Sequence, residues 1–210
     1  VPLQILIGLT VIIGNMAALR QNELKRMLAY SAIAHSGYLA LAMLSNPSSG
    51  SNALIFYLLS YTLMNAGAFA VIGAIQKDDR GATLEDLRGL FYRRPMYAVA
   101  MGLFLASLAG LPPLGGFIGK YTLFSAAFSN GYVLITVLCI VSSMYALVYY
   151  LRPAMMMFMR NEGEMPLQLE PRPSSGVTVA FSAVGVLLLG IAPGLALGLL
   201  EGAGKLLAML

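Results

Sequence analysis

The 210-residue chain is short of charge: 13 Lys plus Arg and 9 Asp plus Glu make up 10% of it, against 59% apolar residues. A globular surface needs about a quarter charged residues, so a soluble catalyst is excluded. The mean hydropathy of +0.79 points to a membrane chain instead. Tryptophan is absent, and the single cysteine, Cys139, sits in an apolar run. One thiol builds no disulfide framework, no thiolate metal cage and no CxxC motif. All nine carboxylates, Glu23, Asp78, Asp79, Glu85, Asp86, Glu162, Glu164, Glu170 and Glu201, fall in predicted loops or near the chain end. Without an acid at membrane depth, carboxylate metal binding, acid/base pairs and Ser-His-Asp arrangements have no support. No glycine-rich loop follows a strand to cradle a phosphate either. The sequence pI of about 9.3 reflects loop charges rather than a nucleic-acid face, so no nucleic-acid partner is expected.

What the chain has is apolar length. Six stretches stand out, at 1–19, 27–44, 53–75, 96–128, 132–151 (or to 159) and 176–200, each ending at a charge or a Gly/Pro/Asn/Ser cluster. They predict an all-α, polytopic transmembrane bundle of about six helices. Basic residues fall on alternate loops: Arg20, Lys25 and Arg26 after the first span, Lys77, Arg80, Arg88, Arg93 and Arg94 after the third, and Arg152, Arg160 and Arg172 after the fifth. The loops Ser45–Asn52 and Ser129–Gly131 carry none, and Lys205 lies beyond the last span. The positive-inside bias then puts the first, third and fifth connections on the cytoplasmic (or stromal, or matrix) side and both chain ends opposite. Val1 opens inside an apolar stretch with no Met and no cleavage site, which predicts the back part of a longer polypeptide. Around Thr83, the run Thr-Leu-Glu-Asp-Leu-Arg-Gly-Leu reads either as a capped short helix at the membrane surface or as a solvated connector. Pro166–Pro173 reads as a plain linker.

The candidates for chemistry are few. Lys120 stands about 25 residues into the 33-residue apolar stretch. A straight helix of that length would run roughly 50 Å, beyond a hydrocarbon core of about 30 Å, so a break is predicted. Pro112 and Pro113 remove two backbone donors, and Gly110, Gly115, Gly116 and Gly119 permit an unwound segment. Irregular backbone at membrane depth belongs in buried or wet places, where transporters build ion sites. An ammonium there costs about 2.5 to 3.5 kcal/mol on insertion scales, which suits a proton that comes and goes. The other reading is an anchor that snorkels towards Ser129–Gly131. The partly positive start of the second half-helix, near Leu114–Phe117, is expected to face the ammonium and favour proton release.

His35, the only histidine, lies about 15 Å past Lys25 along its helix, with Ser31 and Tyr38 on the same face. Imidazole titrates near neutrality and suits proton relay, though a lone buried histidine also serves as a structural hydrogen-bonder. Lys25 is the third candidate, and it reads equally as part of a helix start at the basic face. Ser60, Tyr61, Thr62 and Asn65 in the third span, with Ser142, Ser143, Tyr145, Tyr149 and Tyr150 in the fifth, either line a hydrated path or join helices.

Three motifs, in order, carry a resemblance: Gly14–Tyr38, Leu87-Arg-Gly-Leu, and Ser107-Leu-Ala-Gly-Leu-Pro-Pro-Leu-Gly-Gly-Phe-Ile-Gly-Lys. They resemble the antiporter-like subunits of respiratory NADH-quinone oxidoreductase (complex I), subunit N (subunit 2 in organelles) in particular, over essentially the whole chain. The resemblance implies a fourteen-helix subunit with two inverted five-helix repeats. This chain would supply the second repeat (1–159), a cytoplasmic-side linker (160–175) and the final transmembrane helix and tail (176–210), with the fourth span discontinuous. The family's central residue in that broken helix is Lys in subunit N and Glu in sister subunit M, which favours N. Also implied are proton transfer through Lys120, with His35 on the route, coupled to quinone reduction elsewhere. No cofactor is expected in this chain, NAD, flavin, iron-sulfur clusters and quinone belonging to the wider complex. The implied partners are other membrane subunits, the lipid bilayer and the N-terminal half of the same subunit, and the implied location is the bacterial inner membrane or an organelle equivalent. A Mrp-type cation/proton antiporter subunit, which shares the Gly-Leu-Pro-Pro-Leu pattern, and a scaffold module without transport remain as other classes.

Overall fold

A computed structural model describes residues 1–76, 81–159 and 173–199. Lys77, Arg80, Arg160, Arg172, Lys205, Asp78, Asp79, Glu162, Glu164, Glu170 and Glu201 lie outside the described residues, as does the expected linker up to 172. The elements are α1 (Pro2–Leu19), α2 (Leu24–Ala40) extended by a 3-10 turn (Leu41–Leu44), α3 (Pro47–Ile75), a 3-10 turn (Glu85–Leu87), α4 (Leu90–Arg93), α5 (Pro95–Ala109), α6 (Gly115–Ser129), α7 (Val133–Phe158) and α8 (Pro173–Ile191). Among the described residues there is no strand, only an isolated antiparallel bridge between Glu23 and Thr83.

Hydropathy located these helices and helix chemistry set their ends. Pro2, Pro47 and Pro95 each occupy a first helical position, where the absent N–H has no intrahelical partner to lose. That is why α3 starts at Pro47, six residues ahead of its apolar run. α7 passes through Pro153 to Phe158. The last apolar stretch is not one straight helix: Ser175–Ile191 and Pro193–Leu199 meet at 89°. Pro193 has no N–H to continue α8 and its ring clashes with the preceding turn.

Among the described residues four helices, α1, α2 with its 3-10 extension, α3 and α7, are each long and apolar enough to cross a membrane, and the bent pair passes the same test when its two arms are taken together. α5 and α6 have 15 residues apiece, about 22 Å each, too short to cross alone. The expected break in the fourth stretch falls between them, at 110–114. With apolar side chains such as Leu6, Ile13, Val137 and Phe181 facing outward, this is a multi-pass membrane protein.

The basic connections meet at one end of the bundle. Leu24 N–H donates to Ala82 C=O (2.9 Å) and Leu84 N–H to Asn22 C=O (2.9 Å), which ties the first connection to the third. Arg152, in the last third of α7, donates to Leu19 C=O (3.0 Å), closing α1, and to Asn22 Oδ1 (3.2 Å). The segment around Thr83 is thus no solvated connector. Thr83 donates its N–H and hydroxyl to Asp86 (2.7 and 2.8 Å), and Leu84, Leu87 and Leu90 are buried against the helices.

α1 and α2 pack closely, because Gly14 and Gly37 carry no Cβ: one on Gly14 would lie 2.6 Å from Ala34 N. α3 is central and touches α2, α5, α6 and α8. Two apolar clusters result. One, with Leu28, Ile72, Leu87, Phe104 and Met157, lies towards the basic end; the other, with Ile7, Val11, Leu41, Leu123 and Ile135, lies towards the far end. Between them along the helices lie Asn15, Ser31, His35, Lys120 and Ser142, all buried.

Candidate functional site

The break in the fourth stretch satisfies the backbone carbonyls that end α5. Gly110, at φ 88, takes the left-handed conformation that suits glycine and ends α5. Its N–H donates to Ser107 C=O (3.0 Å) and Leu111 N–H donates to Ala106 C=O (3.0 Å), the two bonds of a Schellman ending. The last two carbonyls of α5 are left over, and Lys120 takes both: Nζ donates to Leu108 C=O at 2.9 Å and to Ala109 C=O at 3.1 Å. In return Ser107 Oγ accepts the Gly116 N–H at 3.0 Å, so each half-helix caps the other. Lys120 is 5% exposed and does not snorkel.

Two expectations are corrected here. The ammonium rests against the partly negative end of α5, not chiefly against the partly positive start of α6, because the side chain folds back across the break. And of the four glycines only Gly110 lies in the unwound stretch: Gly115, Gly116 and Gly119 are inside α6 and serve close approach. A Cβ on Gly116 would lie 2.7 Å from the Ser107 carbonyl carbon, and one on Gly119 would lie 2.5 Å from the Tyr57 ring. Pro112 and Pro113 lie in the unwound stretch and are exposed.

His35 is fully buried on α2. Tyr57 OH hydrogen-bonds its Nδ1 at 2.6 Å and Tyr150 OH its Nε2 at 3.1 Å, and Ser31 Oγ hydrogen-bonds Tyr150 OH in turn. A neutral imidazole donates from one nitrogen and accepts at the other, so the chain Tyr57–His35–Tyr150–Ser31 can run in either direction. A second chain centres on Asn15. Its Nδ2 donates to Tyr38 OH (3.0 Å) and to Ser142 C=O (3.2 Å), and its Oδ1 accepts from Tyr149 OH (2.9 Å). The Ser142 carbonyl fixes the amide orientation, since the flipped form would set oxygen against oxygen.

Tyr38 joins these groups to Lys120. Its ring lies 5.5 Å from the ammonium and meets the His35 ring edge-on at 5.6 Å. A cleft of about 420 Å³ between α6 and α7 reaches Lys120 and Gly110, with Phe117, Tyr121, Phe124 and Thr136 on its walls.

Of the sequence candidates, then, Lys120, His35, Ser31, Tyr38, Tyr149 and Tyr150 come together. Lys25 does not: it sits half-buried in the first turn of α2, at the basic end. Thr62, Asn65 and Ser143 bond carbonyls of their own helices, and Tyr145 faces outward. Ser60 Oγ is buried with no partner among the described residues. Sequence reasoning missed Asn15, Tyr57 and the hydroxyl of Ser107. Asn15 left a readable signal, as one of only two amides, with Gln4, in the first apolar span.

The family model for "NADH:quinone oxidoreductase/Mrp antiporter, TM" matches residues 1–146. The chain belongs to that family. Among relatives of this family, NADH-quinone oxidoreductase subunit N of Deinococcus radiodurans is 53% identical over 194 residues, covering 92% of this chain and 39% of the relative. Subunit N of Trichlorobacter lovleyi is 41% identical over 206 residues, 98% of this chain and 42% of that one. The chain therefore spans about two fifths of the length of these curated relatives. In solved structures, a chain of respiratory complex I from Thermus thermophilus with bound aureothin superimposes with TM-score 0.84 at 43% identity, over 94% of this chain and 44% of that one. A chain of the Mrp complex from Dietzia sp. matches with TM-score 0.81 at 25% identity, over 93% and 45%.

Proposed function

We propose that this chain is the part of a complex I subunit N that carries the exit half of a proton path coupled to quinone reduction. The observation that carries the reading is Lys120: a buried lysine held on the carbonyls of a broken helix, at the depth of the polar layer, beside the His35 chain. Protonation changes driven by quinone chemistry elsewhere in the complex reach this layer, and Lys120 hands its proton to the far side. The route to it includes His35, with Ser31, Tyr57 and Tyr150 as hydroxyl links that pass a proton by exchanging donor and acceptor roles. Lys25 keeps a peripheral place at the basic end of α2. The activity belongs to the whole NADH:quinone oxidoreductase; this chain holds no redox cofactor, and NAD, flavin, iron-sulfur clusters and quinone sit in the wider complex. The other membrane subunits and the rest of the subunit's own polypeptide are its protein partners, and the bacterial inner membrane is its place.

The experiment is purification of the parent subunit, followed by proton uptake measured alongside NADH oxidation in membrane vesicles. The reading expects co-purification with flavin and iron-sulfur subunits, and a Lys120→Met variant that assembles but loses most coupled uptake. Co-purification with cation-antiporter subunits and no redox partner would move the chain to the Mrp class. Full uptake by the Met variant would remove Lys120 from the path.

A further inference from the structure

We propose that the ring face of Tyr38 is a seat for the Lys120 ammonium, and that Asn15 is the positioning residue that sets this face. The inference rests on the reading of Lys120 as the proton-carrying group. Among the described residues no carboxylate lies at membrane depth to balance the ammonium, and the groups seen around it are dipoles and an aromatic ring. Two of its three N–H groups are spent on the Leu108 and Ala109 carbonyls. The Tyr38 ring lies 5.5 Å away, inside the range of about 6 Å over which an aromatic quadrupole attracts a cation, and it does so here with both partners out of water.

Such a contact depends on ring angle, and the ring is fixed from three sides. Phe124 meets it edge-on at 5.9 Å, His35 meets it edge-on at 5.6 Å, and Asn15 holds its hydroxyl at 3.0 Å. Asn15 is in turn pinned by Ser142 C=O and Tyr149 OH, both on α7. A residue of α1 thereby transmits the placement of α7 to a lysine on α6 that it does not touch. Tyr38 is also the side chain shared between Lys120 and His35, so the same ring sets the distance between the two proposed proton sites.

The test is a fluorine series at position 38 of the full-length subunit in the intact enzyme: Phe, then mono-, di- and trifluorophenylalanine, introduced by amber suppression. Each fluorine draws electrons from the ring face with little change of shape. Coupled proton uptake per NADH is expected to fall stepwise, about two- to fivefold from Phe to trifluorophenylalanine, at unchanged subunit amounts. Since Tyr38→Phe also loses the Asn15 bond, 3,5-difluorotyrosine, which keeps the hydroxyl, is measured in parallel and is expected to lose uptake relative to Tyr. Asn15→Leu with Tyr38 intact is expected to reproduce part of the loss. A flat series together with an inactive Lys120→Met would overturn the ring seat and leave the relay standing. Normal uptake by Lys120→Met would overturn the relay itself.

Discussion

The His35 cluster and the Lys120 break lie at similar depth yet keep polar groups in the membrane by opposite means. Around His35, side chains satisfy side chains: Tyr57, Tyr150 and Ser31 bond in one run with it, and no helix is interrupted there. Around Lys120, the satisfaction is between side chain and backbone, across an interrupted helix. The first arrangement is sealed, with Tyr57 and Tyr150 essentially inaccessible; the second opens on the cleft between α6 and α7. A hydrogen-bonded cluster that only rearranges its donors needs no change in helix geometry. A lysine that gave up a proton would change the cap on α5.

The sharpest way to break this contrast is to abolish the close approach at the break. Gly116→Val is expected to destabilise the subunit by roughly 3 kcal/mol or more, since its Cβ alone strikes the Ser107 carbonyl and overpacking typically costs about 1–3 kcal/mol. Assembly of the full-length variant, read from the subunit's amount in purified complex, checks this. Assembly at wild-type levels would mean the two half-helices are not pressed together as described. Next in size is Asn15→Leu, which takes a hydrogen-bond partner from two tyrosine hydroxyls and from the Ser142 carbonyl. A loss of roughly 1–3 kcal/mol is expected, read as a lower melting midpoint in detergent.

His35→Ala sharpens the comparison from the other side. A hydroxyl chain can reroute through water, so measurable coupled proton uptake is expected to survive, in contrast to Lys120→Met. Equal loss in the two would make the sealed cluster as indispensable as the break. The smallest effect belongs to Arg152→Ala at the basic end. It removes an exposed cap on α1, and the shift in stability is expected within about 0.5 kcal/mol.

How far the sequence led follows the same division. The break was readable because Pro112, Pro113 and Gly110 are local punctuation and Lys120 is a lone charge in an apolar run. Which carbonyls the lysine would take was not, since Leu108 and Ala109 differ from other α5 residues only in being last. Ser31, His35 and Tyr38 share a face by helical spacing alone, whereas Tyr57 and Asn15 reach them across helix contacts that spacing does not encode. The bend at Pro193 was legible, since Pro193 and Gly194 are the usual helix-ending pair, but apolarity on both sides concealed it in a reading led by hydropathy. The expectation for Gly115, Gly116 and Gly119 erred because glycine marks both unwound backbone and tight packing, and only the position of Tyr57 and Ser107 distinguishes them.

On the proposed reading Lys120 works by releasing a proton, not by holding a fixed charge. Lys120→Arg tests it most directly, because guanidinium keeps the charge and cannot deprotonate. Proton uptake is measured alongside NADH oxidation in vesicles carrying the full-length variant in the assembled complex. Uptake nearly as low as in Lys120→Met is expected, with the complex intact. Near-normal uptake by the Arg variant would show that a permanent cation on the ends of α5 suffices, and would contradict the relay.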